Sequence, residues 1–165
     1  MEMPKDRPNV WLGVSALVVN EANEWLMVKK KYGGLKGKWS FPAGFVENDE
    51  TVDEAAIREV KEETGVDISI HAIIGFRTGV IQEIISDNMV IFRAVPISQD
   101  QPLIAQTREI EEVAWLSPLE LKGETNVSVM VHHLVEKELK QGLTSIDGIH
   151  PGNQFGYSSY KLFFE

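Results

Sequence analysis

The sequence predicts a mixed fold of the α/β (α+β) class, because strand-like segments flank one sharply delimited helix. Two observations carry this prediction. Segments rich in Val, Ile, Leu and Trp recur between polar turns, and residues 52–64 lie between clear helix start and stop signals. The chain has 165 residues, an ordinary size for one domain. We therefore expect a single domain over residues 1–165, with residues 1–9 as a flexible lead-in.

The strand predictions follow from β-branched and aromatic residues between turn signals. The first two strands are expected to form a hairpin across the polar turn Asn20–Glu24, followed by a glycine- and lysine-rich loop, Lys30–Ser40. Gly75 is expected at a β-bulge. Residues 78–87 and 96–107 are predicted as connections. The predicted strands are Val10–Val19, Trp25–Lys29, Val66–Arg77, Asn88–Val95 and Glu111–Leu116.

Capping signals in the local sequence predict both ends of the central helix. Thr51 is followed three residues later by Glu54, which is a capping box, so the helix should begin near Val52. Gly65 suits the position just past its end. Farther along, Pro118–Leu121 predicts a short helical turn. A longer helix, Asn126–Gln141, is predicted to bury Val127, Met130, Val131, Leu134, Val135 and Leu139.

The central helix turns acidic along its inward face. At 3.6 residues per turn, Glu59, Glu62 and Glu63 share the face begun by Val52 and Ala55, whereas Asp53, Glu54 and Lys61 are predicted to face solvent. Carboxylates withdrawn from water repel one another, and a divalent cation with a preference for oxygen ligands removes that repulsion. Solvated surface charge is the alternative interpretation. It is disfavoured because the acids continue an apolar stripe, Arg58 and Glu50 can pair, and a Pro42-Ala43-Gly44 turn precedes the helix.

The stretch from residue 44 to residue 66 resembles the Nudix box, G-x5-E-x7-R-E-U-x-E-E-x-G-U, where U is apolar. A weaker resemblance extends from about Val10 to about Leu121, and Ala43 stands where many members of that family have glycine. The fixed positions of the box are met by Gly44, Glu50, Arg58, Glu59, Val60, Glu62, Glu63, Gly65 and Val66.

The resemblance implies a mixed β-sheet sandwiched between helices, and hydrolysis of a nucleoside diphosphate linked to another group. It implies Mg²⁺ as the cofactor, with Mn²⁺ as the alternative. Carried over by position, Glu59 and Glu63 bind the metal directly, Glu62 binds it directly or through water, and the Ala43 carbonyl is a further ligand. Arg58 and Glu50 are implied to orient the others.

The resemblance leaves the general base open between the box glutamates and a later loop. The later candidates are Glu83, Glu109, Glu111 and Glu112, for which solvent-facing charge is the favoured interpretation.

The residues that would bind the substrate are less well defined by the sequence. Lys29, Lys30, Lys31, Lys36 and Lys38 precede the box, either as phosphate contacts or as a solvated loop, and Lys38 is the preferred contact because it lies nearest the box. Arg77 is expected to hold a phosphate or stack on a base, with a surface ion pair as the alternative. Trp39 and Phe41 are predicted to be core residues.

The substrate itself is not specified by the box. Sequence features associated with particular Nudix substrates are mostly absent downstream, and a loose likeness favours ADP-ribose or a nucleotide sugar. A nucleoside triphosphate is the alternative, as is a non-catalytic module that senses a nucleotide. The complete set of box glutamates argues against the sensor.

Composition limits the partners and the compartment. The net charge of −9 disfavours non-specific nucleic-acid binding, no cysteine is present, and no apolar segment resembles a signal or a membrane span. We therefore expect a cytoplasmic protein whose partner is a small-molecule nucleotide. The aromatic segment 155–164 is predicted to pack on its own domain as an edge strand, with a homodimer contact as the alternative.

Overall fold

The computed structural model describes residues 8–165, so most of the predicted N-terminal lead-in lies outside the described part of the chain. The helices are α1 (Val52–Thr64), α2 (Pro118–Gly123) and α3 (Val129–Val135), with a 3₁₀ turn at Asn153–Phe155. The strands are β1 (Val10–Val18), β2 (Trp25–Lys30), β3 (Trp39–Ser40), β4 (Ala43–Phe45), β5 (Ile68–Ile81), β6 (Ile85–Pro96), β7 (Ile110–Leu116), β8 (Thr144–Ile146) and β9 (Leu162–Phe164).

The main sheet is mixed and has the strand order β4-β1-β6-β5. β1 and β6 run parallel, in register from Val10 opposite Ser86 to Val18 opposite Ala94, and the other neighbours are antiparallel. A second sheet has the order β3-β2-β7, and β8 pairs with β9. β4 therefore lies at one edge of the main sheet, directly before the loop that leads into α1.

The predicted hairpin of the first two strands is wrong. β1 and β2 belong to different sheets, and only an isolated bridge between Val19 and Trp25 joins them. Residues 13–18 are buried at every position, which is typical of a strand covered on both faces and paired in parallel. Strand propensity alone therefore located β1 but not its partner.

The connection predicted at residues 78–87 is instead the tip of a long hairpin. β5 runs to Ile81 and β6 starts at Ile85, so only a tight turn separates them. The two central residues of that turn, Gln82 and Glu83, have φ values of 50° and 60°, and the Ile84 N–H donates to the Ile81 carbonyl at 3.0 Å. The predicted irregularity at Gly75 is confirmed by a register shift between Ile73 and Gly75.

Helix α1 has the bounds that its sequence predicts. The reciprocal capping box of Thr51 and Glu54 is formed, and Gly65 ends the helix with a φ of 78° and an N–H donated to the Lys61 carbonyl at 2.9 Å. The helix α3 is shorter than predicted. Beyond it, Leu143 exchanges two backbone hydrogen bonds with Ile73 on β5, so the chain leaves the helix to reach the edge of the sheet.

Apolar residues fill both faces of the sheets, as the predicted sandwich requires. Ala16 and Val18 of β1 pack with Val60 of α1, whereas Leu17 lies in the cluster that includes α2 and α3. Trp39 and Phe41 are buried in that second cluster, which confirms their prediction as core residues. Successive residues of β1 thus face opposite layers.

The C-terminal aromatic segment packs on its own domain, as predicted. The Phe163 ring centroid lies 5.9 Å from that of Phe92, and the Lys161 ammonium donates to Asp53 of α1 at 2.6 Å. The prediction that Asp53 faces solvent is wrong, because only 9% of this residue is exposed. Its charge is tolerated there because Lys161 supplies a counter-ion from a distant part of the chain.

No helix in the described part of the chain is both long and apolar enough to cross a membrane.

Candidate active site

Strand β4 and helix α1 lie so close together at Gly44 that a larger residue there would displace the Glu59 side chain. A Cβ added to Gly44 would lie 2.1 Å from the carboxyl carbon of Glu59, well inside van der Waals contact. One residue earlier, the Ala43 N–H lies 3.4 Å from Oε2 of Glu63. The first residue of the box therefore has a steric role, since it brings two glutamates of α1 against a strand backbone.

Glu63 is the most deeply placed acid of this site. Only 3% of the residue is exposed, and burial raises the pKa of its carboxyl to about 7, although the Lys30 ammonium in contact with Oε1 opposes that rise. A carboxylate cut off from water is a strong ligand for a cation, because the cation replaces its lost solvation.

Arg58 donates hydrogen bonds to two further acids of the site, Glu50 and Glu59. Its Nε donates to Glu50 at 2.9 Å, its Nη2 donates to Glu50 at 2.6 Å and to the Phe45 carbonyl at 3.0 Å, and its Nη1 donates to Glu59 at 2.8 Å. These hydrogen bonds lower the pKa of Glu50 and raise that of Arg58. Burial raises the pKa of Glu59 despite the Arg58 contact. Arg58 thus connects the loop, the strand and the helix around Glu59.

Glu62 does not face inward, which corrects the prediction for the third acid. Its side chain is 55% exposed, with Arg58 Nη1 at 3.3 Å. The helix geometry gives the reason: at about 100° per residue, Glu63 lies about 40° to one side of Glu59 and Glu62 about 60° to the other. Glu59 and Glu63 therefore point into the site, and Glu62 lies on its solvent margin.

The arrangement suits a hard divalent cation in its donor atoms. Ala43 directs its N–H toward Glu63, and in an extended strand the carbonyl of the same residue points to the same side. Two shielded carboxylates and a strand carbonyl are oxygen donors of the kind that Mg²⁺ and Mn²⁺ prefer. Within residues 8–165, no group of three or more acidic or histidine side chains is placed to hold a metal ion, and Lys30 and Arg58 lie among the acids.

Lys30, rather than Lys38, is the lysine that reaches the acids. Lys38 is exposed, whereas Lys30 contacts Glu63 from the end of β2. The signal was present in the sequence, because Lys30 follows Leu26 and Val28 at the two-residue spacing of one strand face, and Leu26 packs toward α1. Strand alternation therefore identifies Lys30 as the lysine beside the acids, and Lys38 as a substrate contact stays a prediction.

Arg77 lies in a cavity beside the box. It donates to Asp87 at 2.7 Å, and both line a cavity of about 190 Å³ together with Trp11, Gly44, Phe45 and Met89. The pairing is the ion pair that the sequence left as an alternative, but it lies in a concave surface rather than on an open one.

The later glutamates proposed as general bases are all exposed. Glu83 is at the tip of the β5–β6 hairpin, and Glu112 pairs with Lys29 at 3.5 Å. The backbone of the loop before Glu109 runs along the end of α1, where the Gln106 N–H lies 3.4 Å from the Glu63 carbonyl. The choice among Glu83, Glu109, Glu111, Glu112 and the box glutamates stays a prediction.

Known proteins share both the sequence pattern and the fold. A family model described as "NUDIX domain" matches residues 10–134. "Nudix hydrolase 2" of Arabidopsis thaliana is 37% identical over 108 residues, which cover 64% of this chain and 38% of that protein. "ADP-ribose pyrophosphatase" of Methanocaldococcus jannaschii is 41% identical over 58 residues, covering 35% of this chain and 34% of that protein.

A solved structure with the same fold is the NUDIX domain of Shewanella oneidensis NrtR complexed with ADP ribose. It superposes with a TM-score of 0.66 at 19% identity, covering 82% of this chain and 90% of that one. The two relatives above are matched over little more than a third of their own lengths. The family model, in contrast, spans most of this chain, from the start of β1 into α3. The chain therefore belongs to the Nudix family.

Proposed function

We propose that this chain hydrolyses the pyrophosphate bond of a nucleoside diphosphate linked to another group, with ADP-ribose or a nucleotide sugar as the favoured substrate. The observation that carries the proposal is the pair of shielded carboxylates, Glu59 and Glu63, which lie against β4 where a Cβ at Gly44 would overlap the Glu59 carboxyl group. The name of the Methanocaldococcus relative and the ADP ribose bound in the NrtR domain support the choice of substrate.

Nudix proteins generally use divalent metal cations. We propose Mg²⁺, with Mn²⁺ as the alternative, held by Glu59, Glu63 and the Ala43 carbonyl, with Glu62 at the exposed margin. When bound, such an ion supplies positive charge that neutralises a diphosphate and makes water more acidic.

The remaining roles belong to side chains of the chain itself. Arg58 fixes Glu59 in place while its other nitrogen atoms are held by Glu50 and the Phe45 carbonyl. Lys30 contacts Glu63 and opposes the rise in pKa that burial causes. It also places a positive charge beside Glu63, where an anionic substrate would meet that residue. Gly44 maintains the space that the Glu59 carboxylate occupies. Together these residues orient two carboxylates before substrate arrives.

The test is a substrate panel with product identification. ADP-ribose, nucleotide sugars, dinucleotides and nucleoside triphosphates are incubated with Mg²⁺, and the products are separated by chromatography, with ¹⁸O-labelled water marking the phosphorus that is attacked. We expect a nucleoside monophosphate and the phosphate of the other group. Glu63→Gln should lower turnover by orders of magnitude, whereas Glu124→Gln, at the exposed end of α2, should not.

Two outcomes would overturn parts of the proposal. Tight binding of one nucleotide without turnover of any would make the chain a sensor. Release of pyrophosphate from triphosphates alone would replace the favoured substrate. Sedimentation of the same preparation tests the homodimer, which stays a prediction.

A further inference from the structure

The cavity that contains Arg77 lies on the other face of the main sheet from α1. In β1, Val14, Ala16 and Val18 pack in the clusters that contain α1 residues, and the alternate residues Trp11 and Gly13 line the cavity. The two sites meet at β4, where Gly44 lines the cavity and also borders the Glu59 carboxylate. Because β4 is the edge strand, one ligand that contacts both sites would run around this edge of the sheet.

Two aromatic side chains on the cavity wall remain open to solvent. Trp11 is 42% exposed and Phe45 is 56% exposed, and their ring centroids lie 5.5 Å apart at an interplanar angle of 81°. Rings at this angle do not stack on each other, so a flat ligand can still stack against an aromatic face. Phe45 is also fixed through its carbonyl, which accepts from Arg58.

The polar groups of the cavity are one donor and one acceptor side by side. Arg77 offers N–H groups, and the Asp87 carboxylate, whose side chain is mostly shielded, accepts hydrogen bonds. The amine and the neighbouring ring nitrogen of adenine present the complementary pattern, since the amine donates and the ring nitrogen accepts.

We propose that this cavity binds the adenine base of the substrate, stacked on the indole ring of Trp11, with the adenine amine donating a hydrogen bond to Asp87 and a ring nitrogen accepting one from Arg77. This inference rests on the proposed function, because the phosphates of the same nucleotide would lie at Glu59 and Glu63. It adds to the proposed function which base the site recognises and which residues recognise that base.

The test measures binding without turnover, so that it stands apart from the hydrolysis assay. AMP, purine riboside 5′-monophosphate, which lacks the amine, and ribose 5-phosphate, which lacks the base, are titrated by calorimetry in the absence of a divalent metal. Stacking on an aromatic side chain corresponds to about a 5- to 150-fold gain in affinity. We expect AMP to exceed ribose 5-phosphate by that factor, and Trp11→Ala to remove most of the gain.

The control is Phe76→Ala. Phe76 is an exposed aromatic residue on β5 that does not line the cavity, so its truncation should leave AMP binding unchanged. Asp87→Ala should bring AMP and purine riboside 5′-monophosphate to equal affinity, while circular dichroism verifies its fold. Equal binding of AMP and ribose 5-phosphate by the unaltered chain would overturn the proposal. So would self-association that Trp11→Ala abolishes, because a second copy would then cover the cavity.

Different experimental outcomes would contradict the proposed hydrolysis and the proposed base site. If AMP binds as expected but no panel compound is cleaved, the base site stands and the proposed function falls. If ADP-ribose is cleaved but the Trp11 and Asp87 variants bind AMP as tightly as the unaltered chain, the proposed function stands and the proposed base site is wrong.

Discussion

Arg58 holds Glu50 through two nitrogen atoms, with Nε at 2.9 Å and Nη2 at 2.6 Å from the two carboxylate oxygens. The planar guanidinium matches the carboxylate fork, a geometry that a lysine ammonium cannot reproduce. This contact fastens the loop before α1 to the helix, and the same side chain continues to Glu59.

Arg58→Lys should therefore destabilise the fold although it preserves the charge. The loss of charge-assisted hydrogen bonds predicts about 1–3 kcal/mol in the free energy of unfolding, measured by urea denaturation. Lys61→Ala, on the same helix as Arg58, is the control, because it removes only exposed contacts of Lys61 with Asp67 and with the Gly65 carbonyl. It should change that free energy by less than about 0.5 kcal/mol. Equal effects of the two substitutions would contradict a structural role for the forked contact.

Gly44→Ala should damage the metal site without unfolding the protein. The new Cβ would displace the flexible end of Glu59 rather than backbone, so the helix can remain while the carboxylate moves. We expect at least tenfold weaker Mn²⁺ binding by electron paramagnetic resonance, with an unchanged circular dichroism spectrum. Gly79→Ala is the matched control, because nothing lies within 4 Å of its added Cβ. Normal Mn²⁺ binding by Gly44→Ala would remove Glu59 from the ligand set.

The metal-free protein should lose stability as the pH rises toward neutrality. The folded chain keeps Glu63 protonated up to about pH 7, whereas the unfolded chain releases that proton near 4.5. The folded state binds more protons between these values, so stability falls as pH increases through this window, by up to about 3 kcal/mol. Glu59 acts in the same direction. The lowered pKa values of Glu50 and Asp53 act in the opposite direction, and their stabilisation is lost in more acidic solution.

Magnesium should reverse this loss, since a metal binds the ionised carboxylate. Thermal unfolding with EDTA and with excess Mg²⁺ should therefore differ more at about pH 8 than at about pH 5. Glu63→Gln should flatten the metal-free pH profile and reduce the gain from Mg²⁺. A gain from Mg²⁺ that is equal at both pH values would argue against Glu63 as a ligand.

A glycine at the tip of the β5–β6 hairpin should increase the stability of the protein. Gln82 and Glu83 both adopt positive φ, which suits Asn-Gly in a two-residue turn and strains other residues. Glu83→Gly should raise the free energy of unfolding by about 1 kcal/mol, measured by urea denaturation. The same variant tests Glu83 as the general base: unchanged kcat would exclude that role, whereas a large fall in kcat would support it.

Local signals in the sequence were sufficient for α1, and non-local pairing explains what they missed. Thr51, Glu54 and Gly65 set the ends of the helix through contacts within a few residues, so its bounds could be predicted. The parallel pairing of β1 with β6 joins segments about 75 residues apart, and no short-range pattern encodes such a partner.

The same distinction applies to the candidate site. The resemblance to the Nudix box identified Glu59 and Glu63, and the structure places both against β4. The exposure of Glu62 follows from its angle around the helix axis relative to Glu59 and Glu63. The sequence prediction placed all three glutamates on one broad helix face and did not resolve that angle. The contact of Lys30 with Glu63 follows from the alternation of β2, which closeness along the chain does not reveal. The substrate contact predicted for Lys38 stays a prediction.

The contact between Lys161 and Asp53 joins residues that are 108 positions apart. During translation, α1 can form early through its own caps, but Asp53 then has no counter-ion, because Lys161 has not yet left the ribosome. The helix that presents Glu59 and Glu63 therefore acquires this ion pair only after synthesis has passed Lys161. A nascent chain that stalls before Lys161 would carry the whole Nudix box and still lack the ammonium that pairs with Asp53.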